Sequence, residues 1–138
     1  MTTIDAKCRC GAIALKISGR PVVQLYCHCD DCQAAHGGAY VLSAIYPASA
    51  VEVERGKPIP MVVKATERMR CEDCGTYLFS EIARVGMRSV SAYLLPKGEF
   101  NPQFHVQCQH AVLPVADNLP HYKGFPPSFG GVEEFVDW

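Results

Sequence analysis

Cys71-Glu72-Asp73-Cys74-Gly75-Thr76 is the stretch on which the reading of this chain turns. Two residues between the cysteines let one short loop offer both sulfurs to a single metal ion. The glycine that follows supplies the φ > 0 conformation that closes such a loop. Backbone N–H groups of the turn are then expected to point at the sulfurs and favour thiolates. The competing reading is a thioredoxin-like redox pair, which sits at a helix start inside a βαβ unit. Nothing of that kind surrounds Cys71: residues 76–83 read as a strand, and no window of the chain has a convincing 3.6-residue apolar period. A metal-binding knuckle in an all-β fold is therefore expected.

Working outward, seven of the eight cysteines fall in three tight clusters. Cys8-Arg9-Cys10-Gly11 has the i, i+2 spacing that puts two sulfurs on one face of an extended strand, and Gly11 is expected to clear room where backbone crowds the metal. Cys27-His28-Cys29-Asp30-Asp31-Cys32 combines strand-type and turn-type spacing, so three sulfurs can converge from one segment. Seven divides most naturally as four plus three. Four thiolates close a tetrahedral zinc, whereas three leave a position free for water or substrate. His28 lies between two i, i+2 ligands and should point to the opposite face; Asp30 and Asp31 should be solvated or bonded to backbone. Closure of the second site by a more distant residue is the alternative to an open position.

The rest of the chain reads as strands. Ile13, Leu15 and Ile17 alternate with Ala14, Lys16 and Ser18, the period-2 pattern of a half-buried strand. Further strands are expected at residues 22–26, 40–46, 51–53, 61–63, 89–95 and 103–108, with one helical turn after Cys29. In the last of these Cys108 shares parity with Phe104 and Val106 and should face the core. His105 falls on the opposite parity, with Gln107, toward solvent or a site. From about residue 114 proline, glycine and aromatics dominate, which suggests an irregular tail packed over the sheet within one domain spanning 1–138. Arg68, Arg70, Arg84 and Arg88 read either as a solvated sheet face or as the lining of a pocket for an acidic substrate.

Bulk properties remove several function classes. A net charge of -1 over 138 residues offers no basic stripe to nucleic acid. No run approaches the ~20 apolar residues of a membrane span. The first residues lack the charged and apolar regions of a secretory signal, so a reducing, cytoplasmic setting is expected, with cysteines as metal ligands rather than disulfides.

These motifs resemble the glutathione-dependent formaldehyde-activating enzyme (GFA) family, which is related in shape to an Mss-four-like β-fold. The matching segments are Cys8-Arg9-Cys10-Gly11, Cys27-His28-Cys29-x-x-Cys32 with Gly37, and Arg70-Cys71-x-x-Cys74-Gly75-Thr76-x-Leu78, with a weaker Pro102-x-x-His105-Val106. The resemblance implies small zinc-clamped sheets and two zinc ions. One, structural, would be held by Cys8, Cys10, Cys71 and Cys74; the second, of catalytic type, by Cys27, Cys29 and Cys32. It implies a carbon–sulfur lyase joining a small thiol, glutathione, to formaldehyde. The chain departs from the family pattern in two places. Gln33-Ala34-Ala35-His36 stands where relatives often carry a basic residue, and the only tryptophan is Trp138. The alternative is a non-catalytic binding module with both zincs structural. Oligomeric state is not readable from the sequence.

Overall fold

The structure, a computed structural model, describes residues 2–138. It is mostly β, in two sheets, with one α-helix among the described residues. Two compact units make up the chain, one formed by residues up to Val23 together with Ala44–Phe100, the other by Gln24–Ser43 with Asn101–Trp138.

In the first unit β1 (Thr3–Lys7) and β2 (Ala14–Ser18) form an antiparallel hairpin. β2 then pairs on its other edge with a later strand, Val51–Arg55. The expected alternation is realised: Leu15 and Ile17 are buried, while Ala14, Lys16 and Ser18 are half-buried. Register sets Ile17 opposite Val51 and Leu15 opposite Val53, so aliphatic pairs stack across the strands. Burying either of the two β2 side chains contributes about 1.5–3 kcal/mol.

Chain order continues with β3 (Val23–Cys27), α1 (Asp30–His36), β4 (Val41–Pro47) and β5, the Val51–Arg55 strand already met. Four antiparallel strands follow within the first unit: β6 (Ile59–Val63), β7 (Thr66–Arg70), β8 (Tyr77–Ile82) and β9 (Met87–Ser91). Leu78, Phe79 and Val90 are buried there, Phe79 opposite Val90 on one face and Leu78 on the other. β1 and β7 were not expected, because Thr3–Lys7 and Thr66–Arg70 carry charged and polar residues at most positions and reach strand geometry through their partners. The strand expected at residues 89–95 stops at Ser91, where a 3-10 turn, Ala92–Leu94, takes over.

The arginines do not form one solvated face. Arg84 is exposed, but Arg68 is buried at 4% exposure. Arg88 pairs with Glu81 at 2.8 Å, donates to the Val51 carbonyl at 2.7 Å and lies over the Phe79 ring. These long side chains lay their stems along the sheet, which a count of charges in sequence does not reveal.

In the second unit β10 (Phe104–Val106) runs parallel to β3, with His105 opposite Tyr26 and Val106 opposite Cys27. That expected strand ends two residues early, since Gln107 adopts φ +59 and a 3-10 turn begins at Cys108.

Candidate functional site

Two short turns bring the first and third cysteine clusters together. After β1 the chain reverses with the Cys8 N–H donating to the Ile13 carbonyl and the Gly11 N–H to the Cys8 carbonyl. After β7 the same pattern recurs: Cys71 N–H to the Thr76 carbonyl, Gly75 N–H to the Cys71 carbonyl. Gly75 takes the expected positive φ, +77. Gly11 does so too, at +83, but a Cβ there would meet nothing within 4 Å. Its role is conformational, not the clearing of space.

The four sulfurs of Cys8, Cys10, Cys71 and Cys74 all lie within 4.8 Å of one another. Cys8 Sγ is 3.7 Å from Cys10 Sγ, which is 3.8 Å from Cys71 Sγ. A tetrahedral ion about 2.3 Å from each sulfur sets neighbouring sulfurs about 3.8 Å apart, so the donor set fits zinc in both chemistry and size. Hydrogen bonds prepare these sulfurs for charge. The Ile13 N–H donates to Cys8 Sγ at 3.2 Å. The Thr76 hydroxyl accepts the Arg9 N–H at 3.1 Å, which leaves its own hydrogen to donate to Cys74 Sγ at 3.0 Å. Arg70 braces the turn by donating to the Gly75 carbonyl.

The ionisation of the cluster is uneven. The Thr76 hydroxyl, aided by the Thr76 N–H, pulls Cys74 down to about 5. Burial raises Cys8, but the Ile13 N–H and the Cys71 and Cys10 sulfurs outweigh it and leave it below its ordinary value. The Ala12 N–H favours a thiolate at Cys10, yet Cys74, burial, Cys8 and Cys71 together push it up to about 12. Four crowded sulfurs cannot all carry charge unaided; a divalent cation removes that conflict.

The middle cluster is built at a strand end and a helix start. Cys27 closes β3, and Cys29 is the N-cap of α1, its sulfur accepting the Cys32 N–H at 3.2 Å. The thiol thus occupies the capping position that Ser or Asp usually takes. Asp30 and Asp31 sit in the first turn, and Gly37 ends the helix at φ +65. The helix runs seven residues, longer than the single expected turn, because both ends are capped. Cys27, Cys29 and Cys32 offer three sulfurs within 4.8 Å, and Cys32 Sγ lies 3.6 Å from Cys27 Sγ. The neighbouring Cys29 and Cys32 sulfurs, and then burial, hold the Cys27 thiol far above its ordinary value. This set also fits a thiophilic ion, with three ligands and none beyond them among the described residues.

His28 is not grouped with these sulfurs. Its ring is fully buried, and its Nε2 lies 2.9 Å from His105 Nδ1. Gln33 fixes the main chain there, its Nε2 donating to the carbonyls of His28 and His110, each at 2.8 Å.

Of the two surroundings expected for His105, solvent or a site, solvent is not realised: the ring is fully buried, because strand parity assigns faces but not what covers them, and residues 117–138 cover this one. The parallel register lays His105 on Tyr26, ring centroids 4.2 Å apart and 4° from parallel. The tail adds His121, bridged to His105, and Trp138, whose ring lies 5.1 Å from His28 and 4.8 Å from His121. Asp117 accepts from His105 Nε2 at 2.9 Å, from His121 Nε2 at 2.8 Å and from the Leu119 N–H at 3.1 Å.

Burial, with His105 and His121 nearby, lowers His28 to about 4. Burial likewise lowers His105, outweighing Asp117. Burial raises Asp117, but the hydrogen bonds from His105, Leu119 and His121 outweigh it and hold the carboxyl below its ordinary value. Cys108 is buried as expected, and burial together with Asp117 pushes its thiol up to about 12. Sequence reasoning missed Asp117 and His121, whose only signal is an Asp-x-x-x-His pair in an irregular tail rich in proline, glycine and aromatics.

No curated protein matches the chain. Among solved structures, a Rhodobacter sphaeroides protein, a Northeast Structural Genomics target, shares the fold with a TM-score of 0.54. It is 18% identical, over 68% of this chain and 89% of that one. A model of the glutathione-dependent formaldehyde-activating enzyme family matches residues 3–110, the stretch that carries all three cysteine clusters, and the chain belongs to that family.

Proposed function

We propose that this chain is a zinc-dependent enzyme of the carbon–sulfur lyase type, adding a small glutathione-like thiol to an aldehyde such as formaldehyde. Cys8, Cys10, Cys71 and Cys74 hold a structural zinc that ties the β1–β2 and β7–β8 turns together. Cys27, Cys29 and Cys32 hold the second ion. The observation that supports this reading best is the incomplete donor set: three converging sulfurs, with the adjacent His28 engaged by His105 instead.

A zinc ion in such a site supplies Lewis acidity that lowers the pKa of an incoming thiol. The three cysteines leave it one position. The Cys32 N–H keeps Cys29 Sγ aimed and partly neutralised, and the α1 dipole acts in the same sense. In the reaction the thiol sulfur forms a bond to the carbonyl carbon and the thiol hydrogen ends on the carbonyl oxygen, giving an S-hydroxymethyl adduct. Holding thiol and aldehyde together contributes most, since the aldehyde is already electrophilic.

Titration of the cobalt-substituted protein with glutathione tests the proposal. A saturable change in the visible cobalt bands is expected, and Cys29→Ser should abolish it. Bands that stay unchanged with glutathione and with other small thiols, both sites being filled, would refute an open position.

A further inference from the structure

Among the described residues, three groups of side chains bring their donor atoms close enough together to share an ion: the two cysteine clusters, and His105 with Asp117 and His121. The third group contains no sulfur, lies wholly within the second unit and takes no part in the cysteine chemistry. One ligand atom from each of its residues lies within 4.8 Å of the other two.

The main chain sets the two histidines side by side. The His105 N–H donates to the Pro120 carbonyl at 2.9 Å and the Tyr122 N–H to the His105 carbonyl at 3.0 Å, which makes a parallel bridge between His105 and His121. Residues paired across such a bridge send their side chains to one face. Asp117, four residues before His121, is fixed by a turn of its own, its Oδ1 accepting the Leu119 N–H at 3.1 Å. Both rings aim Nε2 at this carboxylate, His105 at Oδ2 over 2.9 Å and His121 at Oδ1 over 2.8 Å. The other ring nitrogen of His105 is engaged by His28 at 2.9 Å, the kind of outer contact that fixes the plane of a ligating imidazole. Both imidazoles are buried, whereas the Asp117 side chain keeps 29% of its exposure. An ion therefore has a way in from the carboxylate side.

Size and chemistry agree with an ion. Imidazole nitrogen and carboxylate oxygen bind zinc at about 2.0–2.2 Å, which sets donors on one ion about 3.0–3.4 Å apart. The nitrogen–oxygen contacts here are a few tenths of an ångström shorter, a gap that a small rotation of the partly exposed carboxylate makes up. Two imidazoles with one carboxylate suit zinc and its first-row neighbours, not calcium or magnesium, which take oxygen ligands.

We propose that His105, Asp117 and His121 form a third metal site, which binds a zinc ion and clamps residues 117–121 to β10. The ion takes the place of the two hydrogen bonds to Asp117 and neutralises its carboxylate. Three protein ligands leave it a position for water. The site is independent of the lyase reading and stands whether or not the cysteine centre turns over a thiol.

The test adds zinc to the full chain with both cysteine clusters already loaded. Long-range proton–nitrogen correlations follow the imidazoles, and elemental analysis counts the ions after desalting. A third zinc per chain is expected, with the Nε2 resonances of His105 and His121 shifting saturably together while those of His36 and His110 stay in place. Tryptic cleavage after Lys123 should slow as the site fills. Asp117→Asn keeps the side-chain shape but removes the charge; it should retain two zincs and lose the third.

Wild-type His105 and His121 resonances that excess zinc leaves unmoved overturn the proposal, even if Asp117→Asn folds poorly. Shifts at His36 or His110 instead mean an adventitious ion only and overturn it too. So does an Asp117→Asn variant that takes up the third ion as before. Uptake without slower cleavage at Lys123 overturns the clamp.

Discussion

Replacing Gln33 by leucine removes both of its donors while nearly preserving the side-chain volume. In the native chain Gln33 Nε2 bonds to the His28 and His110 carbonyls at 2.8 Å each, but the two losses are unequal. His110 is exposed, so its carbonyl can turn to water and the loss there is small. His28 is fully buried, and its carbonyl would be left without that donor, at a cost of about 1–3 kcal/mol. For a chain of this size an unfolding entropy of about 2.1 cal/mol/K per residue makes 1 kcal/mol worth roughly 3–4 °C. A loss near the middle of that range, about 2 kcal/mol, lowers Tm by about 7 °C. Gln33→Lys separates this account from a packing effect, because an ammonium still donates to both carbonyls and should restore most of the loss. The assay is thermal unfolding by circular dichroism on protein of matched zinc content. A Gln33→Leu variant within about 1 °C of wild type, or a lysine variant as unstable as the leucine one, would refute the reasoning.

Thr76→Val should weaken zinc at the four-cysteine cluster by about 10–100-fold in a chelator competition, the usual effect of removing a group that orients a ligand; unchanged affinity would count against the Arg9–Thr76–Cys74 relay. Cys108→Ala should retain the full zinc content, whereas Cys71→Ser should lose one ion, by elemental analysis. Leu15→Ala should destabilise the fold by about 2–5 kcal/mol in urea unfolding, since Leu15 is 1% exposed in β2; a smaller loss would mean that the strand can collapse around the cavity. Stability should rise with pH between about 4 and 6.5. His28 falls to about 4 from an ordinary 6.5, and His105 is lowered too, so the folded chain binds fewer protons than the unfolded one across that window and acidification favours unfolding. Repeating the urea series over those pH values in the wild type and in His28→Phe should show a shallower slope in the variant.

What the sequence made legible, and what it did not, divides along the range of the interactions. The cysteine spacings are local geometry: i, i+2 on a strand and C-x-x-C-G in a turn depend on a handful of dihedrals, so the sulfurs meet where the motifs imply. The alternation in β2 is local as well. β1 and β7 are not, because Asp5 and Lys7, or Glu67 and Arg70, carry no apolar signal and become strands only through the ladders they join. The histidine chain is the most distant from local reading. His105 meets Tyr26 because β10 lies parallel to β3 in one register, and a one-residue slip would turn the ring to the other face. Asp117 reaches it through an irregular segment whose path no periodicity encodes. Burial on both faces of β10 is thus a tertiary fact, and it converts an apparently outward histidine into the middle of a hydrogen-bonded chain. The Cys27–Cys32 segment joins the two kinds of information: its alternation sends Cys27 and Cys29 one way and His28 the other.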